Sequence, residues 1–334
     1  MTPPQPQSTA TLDGLIVALR NQLGVPDLAW ATAPSPLAGG FWAELYVVEL
    51  ANAPVELQGQ LVARVMPDPE TAAFEIAAQR HVSLSGLSAP TIRASAGPTD
   101  DLDRAWCLMD FAAGQPLLSG LNASTAIKQA PMLLRRLPDL LAQAAAGLHA
   151  IPVGGLHEQL AGQDRQADIE HSLVRLAALA ASIGRDDLAR HAAELTIGRP
   201  DSTVICHGDM HPFNLLVDGD RWTLIDWSNA TIADRHYDLA YTTLMLSNPP
   251  LGGPPPVRFA VRTIGRRISN RFLHTYARLT GLPIDTTRLT WGRRVHALRA
   301  VVEMATWESQ GHLDVHASHP WLLMRDVFEG ELAG

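Results

Sequence analysis

The first periodic stretch of the chain is residues 11–23, TLDGLIVALRNQL, whose apolar positions recur at helical spacing behind Thr11 as a candidate cap. Pro34, Pro36, Gly39 and Gly40 then announce a loop. WAELYVVEL (42–50) reads as a strand, Asn52 to Pro54 and Gln58-Gly59 as a turn, and QLVARVM (60–66) as a second strand. Helical spacing returns over 69–84, with Pro69 near its start and Gly86 just past its end. Strand-like stretches follow at 90–95 and 105–111. Beyond Gly114 the character changes, and 131–150 and 167–195 read as helices rich in Leu and Ala. Between Val204 and Asp226 the short runs VIC, NLLV and WTLID predict strands, and from Asp234 the pattern is helical again, broken by NPPLGGPPP (248–256). These elements predict an α+β chain of two lobes. A disordered tail (1–10) precedes a β-rich N-terminal lobe with one main helix (11–112) and a larger, mostly helical C-terminal lobe (113–334).

A chain of 334 residues is long enough for two such cores. With 46% hydrophobic and 18% charged residues the composition is globular. No apolar run approaches the roughly 20 residues of a membrane span, and Met1-Thr-Pro-Pro-Gln-Pro-Gln has neither a basic start nor an apolar stretch. A cytoplasmic protein is expected. Cys107 and Cys206 each follow an apolar residue, which predicts two buried thiols rather than a disulfide. The net charge of −8 opposes association with nucleic acid or an anionic membrane, and mildly favours a cationic small molecule. Of 26 basic residues only Lys128 is a lysine.

The chemistry concentrates in His207-Gly-Asp-Met-His-Pro-Phe-Asn214 and Leu224-Ile-Asp226-Trp. Asp209 and Asn214 are five residues apart, and Asp226 lies seventeen beyond Asp209 at the end of a strand. Phosphoryl transfer needs such a set: one carboxylate to orient and deprotonate a hydroxyl, and an amide with a second carboxylate to hold magnesium against phosphates. His207 and His211 raise the alternative of zinc, but Gly208 and Pro212 oppose a helix presenting both, and no Glu stands where a metalloprotease motif needs one. A structural turn capped by Asp209 is the remaining alternative.

The segment resembles the catalytic loop of the aminoglycoside phosphotransferase and choline kinase family, relatives of protein kinases. The family pattern His-Gly-Asp-x-His-x-x-Asn, Ile-Asp-(Trp/Phe), Asp-Leu-Ala is met in order by residues 207–214, Ile225-Asp-Trp227 and Asp238-Leu-Ala240. The resemblance implies a bilobal protein-kinase-like fold with a small antiparallel N-lobe, and ATP or GTP as phosphate donor with Mg2+. It implies Asp209 as catalytic base, Asn214 and Asp226 as metal ligands, His207 as a brace of the loop and Asp238 as a structural tie. In the N-terminal half, Gly39 and Gly40 resemble the phosphate loop. Glu75 resembles the helix glutamate behind the phosphate-binding lysine, and Leu108-Met109-Asp-Phe111 the linker whose main chain holds a purine. A protein kinase fits less well, since Gly208 replaces an arginine and no Ala-Pro-Glu follows Asp226.

Arg64 stands where the family has lysine. Its planar fork keeps the charge but asks for another geometry. The expected function is therefore small-molecule kinase, with a nucleotide-binding regulator without turnover as the alternative. The acceptor is expected to be a hydroxylated small molecule, such as an aminoglycoside-like compound, an amino sugar or another metabolite. In LRAVVEMATWE (298–308), Glu303 and Trp307 fall on one helix side with Glu308 beside them. A carboxylate next to an aromatic ring suits an amine-bearing acceptor, and a core tryptophan with solvated acids is the other reading of the same residues.

Overall fold

Strand alternation organises the N-terminal half of the computed structural model, which describes residues 7–37, 43–116, 118, 123–160, 168–196, 203–251 and 253–333. The chain divides into two compact units, Met1–Ala113 and Gly114–Gly334. The first opens with α1 (Gln7–Leu23), which starts ahead of Thr11 within the stretch expected as a tail. β1 (Ala29–Trp30), β2 (Ser35–Pro36), β3 (Glu44–Val48), β4 (Leu50–Ala51), β5 (Leu61–Met66), α2 (Pro69–Leu84), β6 (Ile92–Ala96) and β7 (Ala105–Asp110) follow. Five strands form one antiparallel sheet in the order β2-β3-β5-β7-β6. The strand expected over 42–50 is broken after Val48, because Glu49 gives its carbonyl to Ala31 N (2.8 Å) and the chain leaves the sheet to pair β4 with β1.

β5 is buried at every position, so its two faces read differently only by period two. Leu61, Ala63 and Val65 join Leu15, Leu19, Trp106 and Leu108 in one core layer. Val62 and Met66 join Ala72, Ile76, Cys107 and Met109 in the other, on the side of α2. Arg64 shares the parity of Val62 and Met66, and so faces α2. That helix starts where its stop-and-start residues predict: Asp68 caps it by accepting from Glu70 N (3.0 Å), and Pro69 occupies the first turn.

The second unit holds β8 (Gln115–Pro116), α3 (Ala123–His149), α4 (Gly154–Leu160), α5 (Ile169–Ser182) and α6 (Asp186–Leu195). The single helix expected over 167–195 is thus two, parted by Gly184 (φ 76°). β9 (Val204–Cys206), β10 (Leu215–Asp218), β11 (Arg221–Leu224) and β12 (Thr231–Ala233) come next, then α7 (His236–Ser247), α8 (Pro255–Thr280), α9 (Thr286–Ser309) and α10 (Arg325–Ala333). α7 is buried from His236 to Leu246 and packs against both α8 and α9, as a helix without a polar face must. Its approach to α9 depends on Gly292, where a Cβ would stand 2.7 Å from Ala240 Cβ and 2.9 Å from the His236 carbonyl. No described helix is long and apolar enough to cross a membrane.

Candidate active site

The 207–214 loop is anchored at both ends by strands and along its length by α7. β9 pairs with β12, Cys206 opposite Thr231, which delivers the chain into His207. Gly208 then takes φ 73°, and a Cβ there would lie 1.9 Å from the Asn229 carbonyl oxygen, so the chain can turn here only as glycine. Asp238, in the first turn of α7, accepts from the amides of His207 (2.8 Å) and Gly208 (2.6 Å). One helical turn on, Thr242 donates its hydroxyl to the Met210 carbonyl (2.8 Å). Burial of Asp238 opposes ionisation. The bond from His149 Nε2 (3.1 Å) and that from the Gly208 amide outweigh it and hold the carboxyl below its ordinary range.

His207 is fully buried, and its tautomer follows from its partners. Nδ1 accepts from the Asp209 amide (3.3 Å), so Nε2 carries the proton and donates to the Ile225 carbonyl (3.0 Å). Burial pushes this imidazole down toward the neutral form against the pull of Asp238, Asp209 and Asp226. With both nitrogens engaged it has no lone pair for zinc. His211 Nδ1 likewise accepts from Phe213 N (3.2 Å), with Nε2 3.6 Å from Asp209 Oδ2.

β10 and β11 form a hairpin closed by Gly219-Asp220, with Leu215 opposite Leu224. Asn214 immediately precedes one strand and Ile225-Asp226 immediately follow the other, so the hairpin brings them to one end. Ile225 N donates to the Asn214 carbonyl at 2.9 Å. Asn214 Nδ2 donates to the Asp209 carbonyl (3.0 Å) and to its Oδ2 (3.2 Å), while the amide oxygen accepts nothing from a described residue. Asp226 is held at φ 62°, a left-handed conformation that costs a non-glycine residue about 1–3 kcal/mol. An amide oxygen and a carboxylate are the hard donors magnesium prefers, and these two fit it. His149, Cys206 and Asp238 also cluster, with their ligand atoms within 4.8 Å of one another. Burial holds the Cys206 thiol protonated and Asp238 is spent on the loop, so this is a packed polar core.

In the N-terminal unit the Arg64 Nε meets Glu75 Oε1 at 2.7 Å, both side chains buried. Met109 lies in the buried centre of β7, where its sulfur accepts from Gln79 Nε2 (3.3 Å). Phe111 follows the end of the strand and is 41% exposed. Gly39 and Gly40 lie outside the described residues.

The three acceptor candidates part company. Trp307 is packed in the core, stacked on His316 (4.3 Å) and flanked by Trp321. Glu308, one residue further round the helix, turns to solvent and pairs with Arg325 (2.6 Å). Neither forms the carboxylate–aromatic face with Glu303 that their spacing implied. Glu303 points inward: burial raises its carboxyl to about 7 against the attraction of Arg299, with Asp209 adding to the rise. Arg299 is a residue that sequence reading missed. It is 8% exposed, lies over the rings of Tyr241 and Trp321 (5.6 and 5.2 Å to Cζ), and donates Nη1 to the Gly208 carbonyl at 3.4 Å. The available signal was one arginine and one glutamate four apart inside an otherwise apolar stretch, LRAVVEMA. A cavity of about 700 Å³ bordered by Ser247, Arg266, Arg293 and Asp326 lies in the same unit, and none of the motif residues lines it.

Three comparisons bear on this arrangement. Residues 35–299 match the model of the phosphotransferase enzyme family. An aminoglycoside 3'-phosphotransferase of Streptomyces fradiae is 28% identical over 252 residues, 69% of this chain and 88% of that one. Among solved structures, a thermostable mutant of aminoglycoside phosphotransferase APH(4)-Ia, in ternary complex with ADP and hygromycin B, is similar in fold. Its TM-score is 0.56 at 16% identity, covering 96% of this chain and 99% of that one. Macrolide 2'-phosphotransferase MphH from Brachybacterium faecium has a TM-score of 0.52 at 16% identity, covering 90% and 97%. With the family's motif folded into one loop and hairpin, and most of the chain matched by its model, the chain belongs to the phosphotransferase enzyme family and has its kinase-like α+β fold.

Proposed function

We propose that this phosphotransferase passes the γ-phosphate of ATP or GTP to a hydroxyl of a small molecule, with Asp209 as the base. The observation that carries this reading is the convergence of Asp209, Asn214 and Asp226 at one end of the β10–β11 hairpin, the first bonded directly to the second. The acceptor hydroxyl gives its proton to the Asp209 carboxylate as its oxygen attacks the γ-phosphorus, and the bond to the β–γ bridging oxygen breaks to release nucleoside diphosphate. Asn214 holds Asp209 in register through Nδ2 and, with Asp226, would hold Mg2+, which neutralises charge on the phosphates when bound. His207, neutral and braced between the Asp209 amide and the Ile225 carbonyl, ties the two halves of the site together. In the N-terminal unit the Arg64–Glu75 pair is the phosphate-holding group, with Gly39 and Gly40 as the phosphate loop and the main chain at Met109 and Phe111 receiving the base.

The nucleotide donor is supported by the ADP bound in the APH(4)-Ia complex. For the acceptor, the similar proteins act on an aminoglycoside or a macrolide, and a hydroxylated small molecule of that kind is the acceptor class. A panel of aminoglycosides, macrolides, amino sugars and choline with ATP and GTP, read as diphosphate release, tests this. Asp209→Asn is expected to abolish transfer while a thermal shift with ATP and magnesium persists. Residual turnover within about tenfold, a barrier change of only about 1.4 kcal/mol, would refute the base. Nucleotide binding with no transfer to any acceptor would favour the regulator that Arg64 raised.

A further inference from the structure

Burying a guanidinium without a matched carboxylate is strongly unfavourable, so Arg299 calls for an explanation that packing alone does not give. Among the described residues its Nε and Nη2 have no hydrogen-bond partner, and neither has Oε2 of Glu303 one turn along α9. An ion pair built for stability would have closed these contacts. Nη1 instead donates to the carbonyl of the Gly208–Asp209 peptide. The N–H of that same peptide is held by His207 Nδ1, and the amide of Gly208 by Asp238. Tyr241 and Trp321 fix the guanidinium by stacking, so it acts as a rigid group rather than a flexible tether.

We infer that Arg299 is a positioning residue for phosphoryl transfer, clamping the peptide that carries Asp209. The inference rests on the reading of Asp209 as base. The charged and titratable groups around Arg299 are Tyr237 and Tyr241 from α7, His296 and Glu303 from α9, Asp209 from the loop, and His319 ahead of the Pro320–Met324 turn. Burial works against its charge, and Tyr237, Glu303, Tyr241 and Asp209 together keep it protonated.

The test compares Arg299→Met, Arg299→Lys and the double variant Arg299→Met/Glu303→Gln, which removes the carboxylate that the methionine strands. The readout is ADP formation from ATP and magnesium with the best acceptor of the panel above or, failing that, water. Arg299→Met is expected to lower kcat about 100-fold and leave the nucleotide KM within about threefold. Arg299→Lys, which keeps a donor for the Gly208 carbonyl, should recover part of the kcat. The double variant should recover thermal stability without recovering kcat. A kcat loss that follows the folded fraction and is reversed in the double variant would overturn the inference. So would Arg299→Met turning over within about threefold of the parent. Asp209→Asn measured alongside separates the two readings: if it is inactive while Arg299→Met is unimpaired, only the role of Arg299 falls, and if it stays active both do.

Discussion

Replacing Asp238 with Asn perturbs the loop through a single atom exchange. The carboxylate accepts from three donors, the amides of His207 and Gly208 and the Nε2 of His149, and it is fully buried. Asparagine keeps one acceptor oxygen and turns an NH2 toward at least one of these donors. Hydrogen bonds to a charged group contribute about 1.5–3 kcal/mol each. Losing the charge from all three and confronting a donor with a donor should cost about 3–5 kcal/mol at pH 7. The sign with pH follows from the depressed carboxyl of the folded state. Its contribution is complete above about pH 4, the unfolded value, and is lost as pH falls through the folded value, so parent and variant should converge in acid. Urea denaturation from pH 7 to pH 3 measures the difference, and hydrogen exchange at the His207 and Gly208 amides locates it. Because Asp209 directly follows the two anchored peptides, kcat should fall about 100-fold even where the variant is folded. A destabilisation under about 1 kcal/mol, or one that does not shrink toward pH 3, would refute the assignment of Asp238 as the anchor.

Gly208→Ala should leave little activity, since a non-glycine left-handed residue costs about 1–2 kcal/mol before the overlap with Asn229 is relieved, and kinetics with a thermal melt will show both losses. Arg64→Met strands the Glu75 carboxylate and should destabilise the N-terminal unit by about 3–5 kcal/mol in urea, while Arg64→Lys, keeping the charge, should cost less than half of that. Burial and the Glu75 charge raise the Cys107 thiol to about 12, so it and Cys206 should resist a thiol reagent in the native protein and react fully in denaturant.

The 207–214 loop was legible because its motif is local: eight residues and a strand end supply it, and the β10–β11 hairpin is a short-range pairing. α2 was legible for the same reason, through Pro69, Gly86 and period. The pairing of Arg64 with Glu75 came from the family resemblance, and in the fold it rests on strand parity facing α2. What the sequence left hidden depends on long-range packing. The sequence left Trp307 open between a recognition ring and a core residue, and the 310–324 segment decides it by folding back to put His316 and Trp321 against the ring. Arg299 carried no motif, and its meaning arises from Gly208, ninety-one residues earlier. The breaks at Glu49 and Gly184 were missed because the apolar pattern runs through them, and it is a main-chain partner in the first case and a left-handed turn in the second that end the element.

The β10–β11 hairpin works as a ruler that can be lengthened without changing what it measures. Asn214 and Asp226 sit at its open end, so adding two residues to each strand moves the Gly219-Asp220 tip outward and preserves both the side-chain parity and the meeting of these two residues. An insertion of one residue in one strand alone would swap the faces of everything beyond it. The interval between these residues along the chain is therefore free to vary by even, paired steps, whereas their register is not.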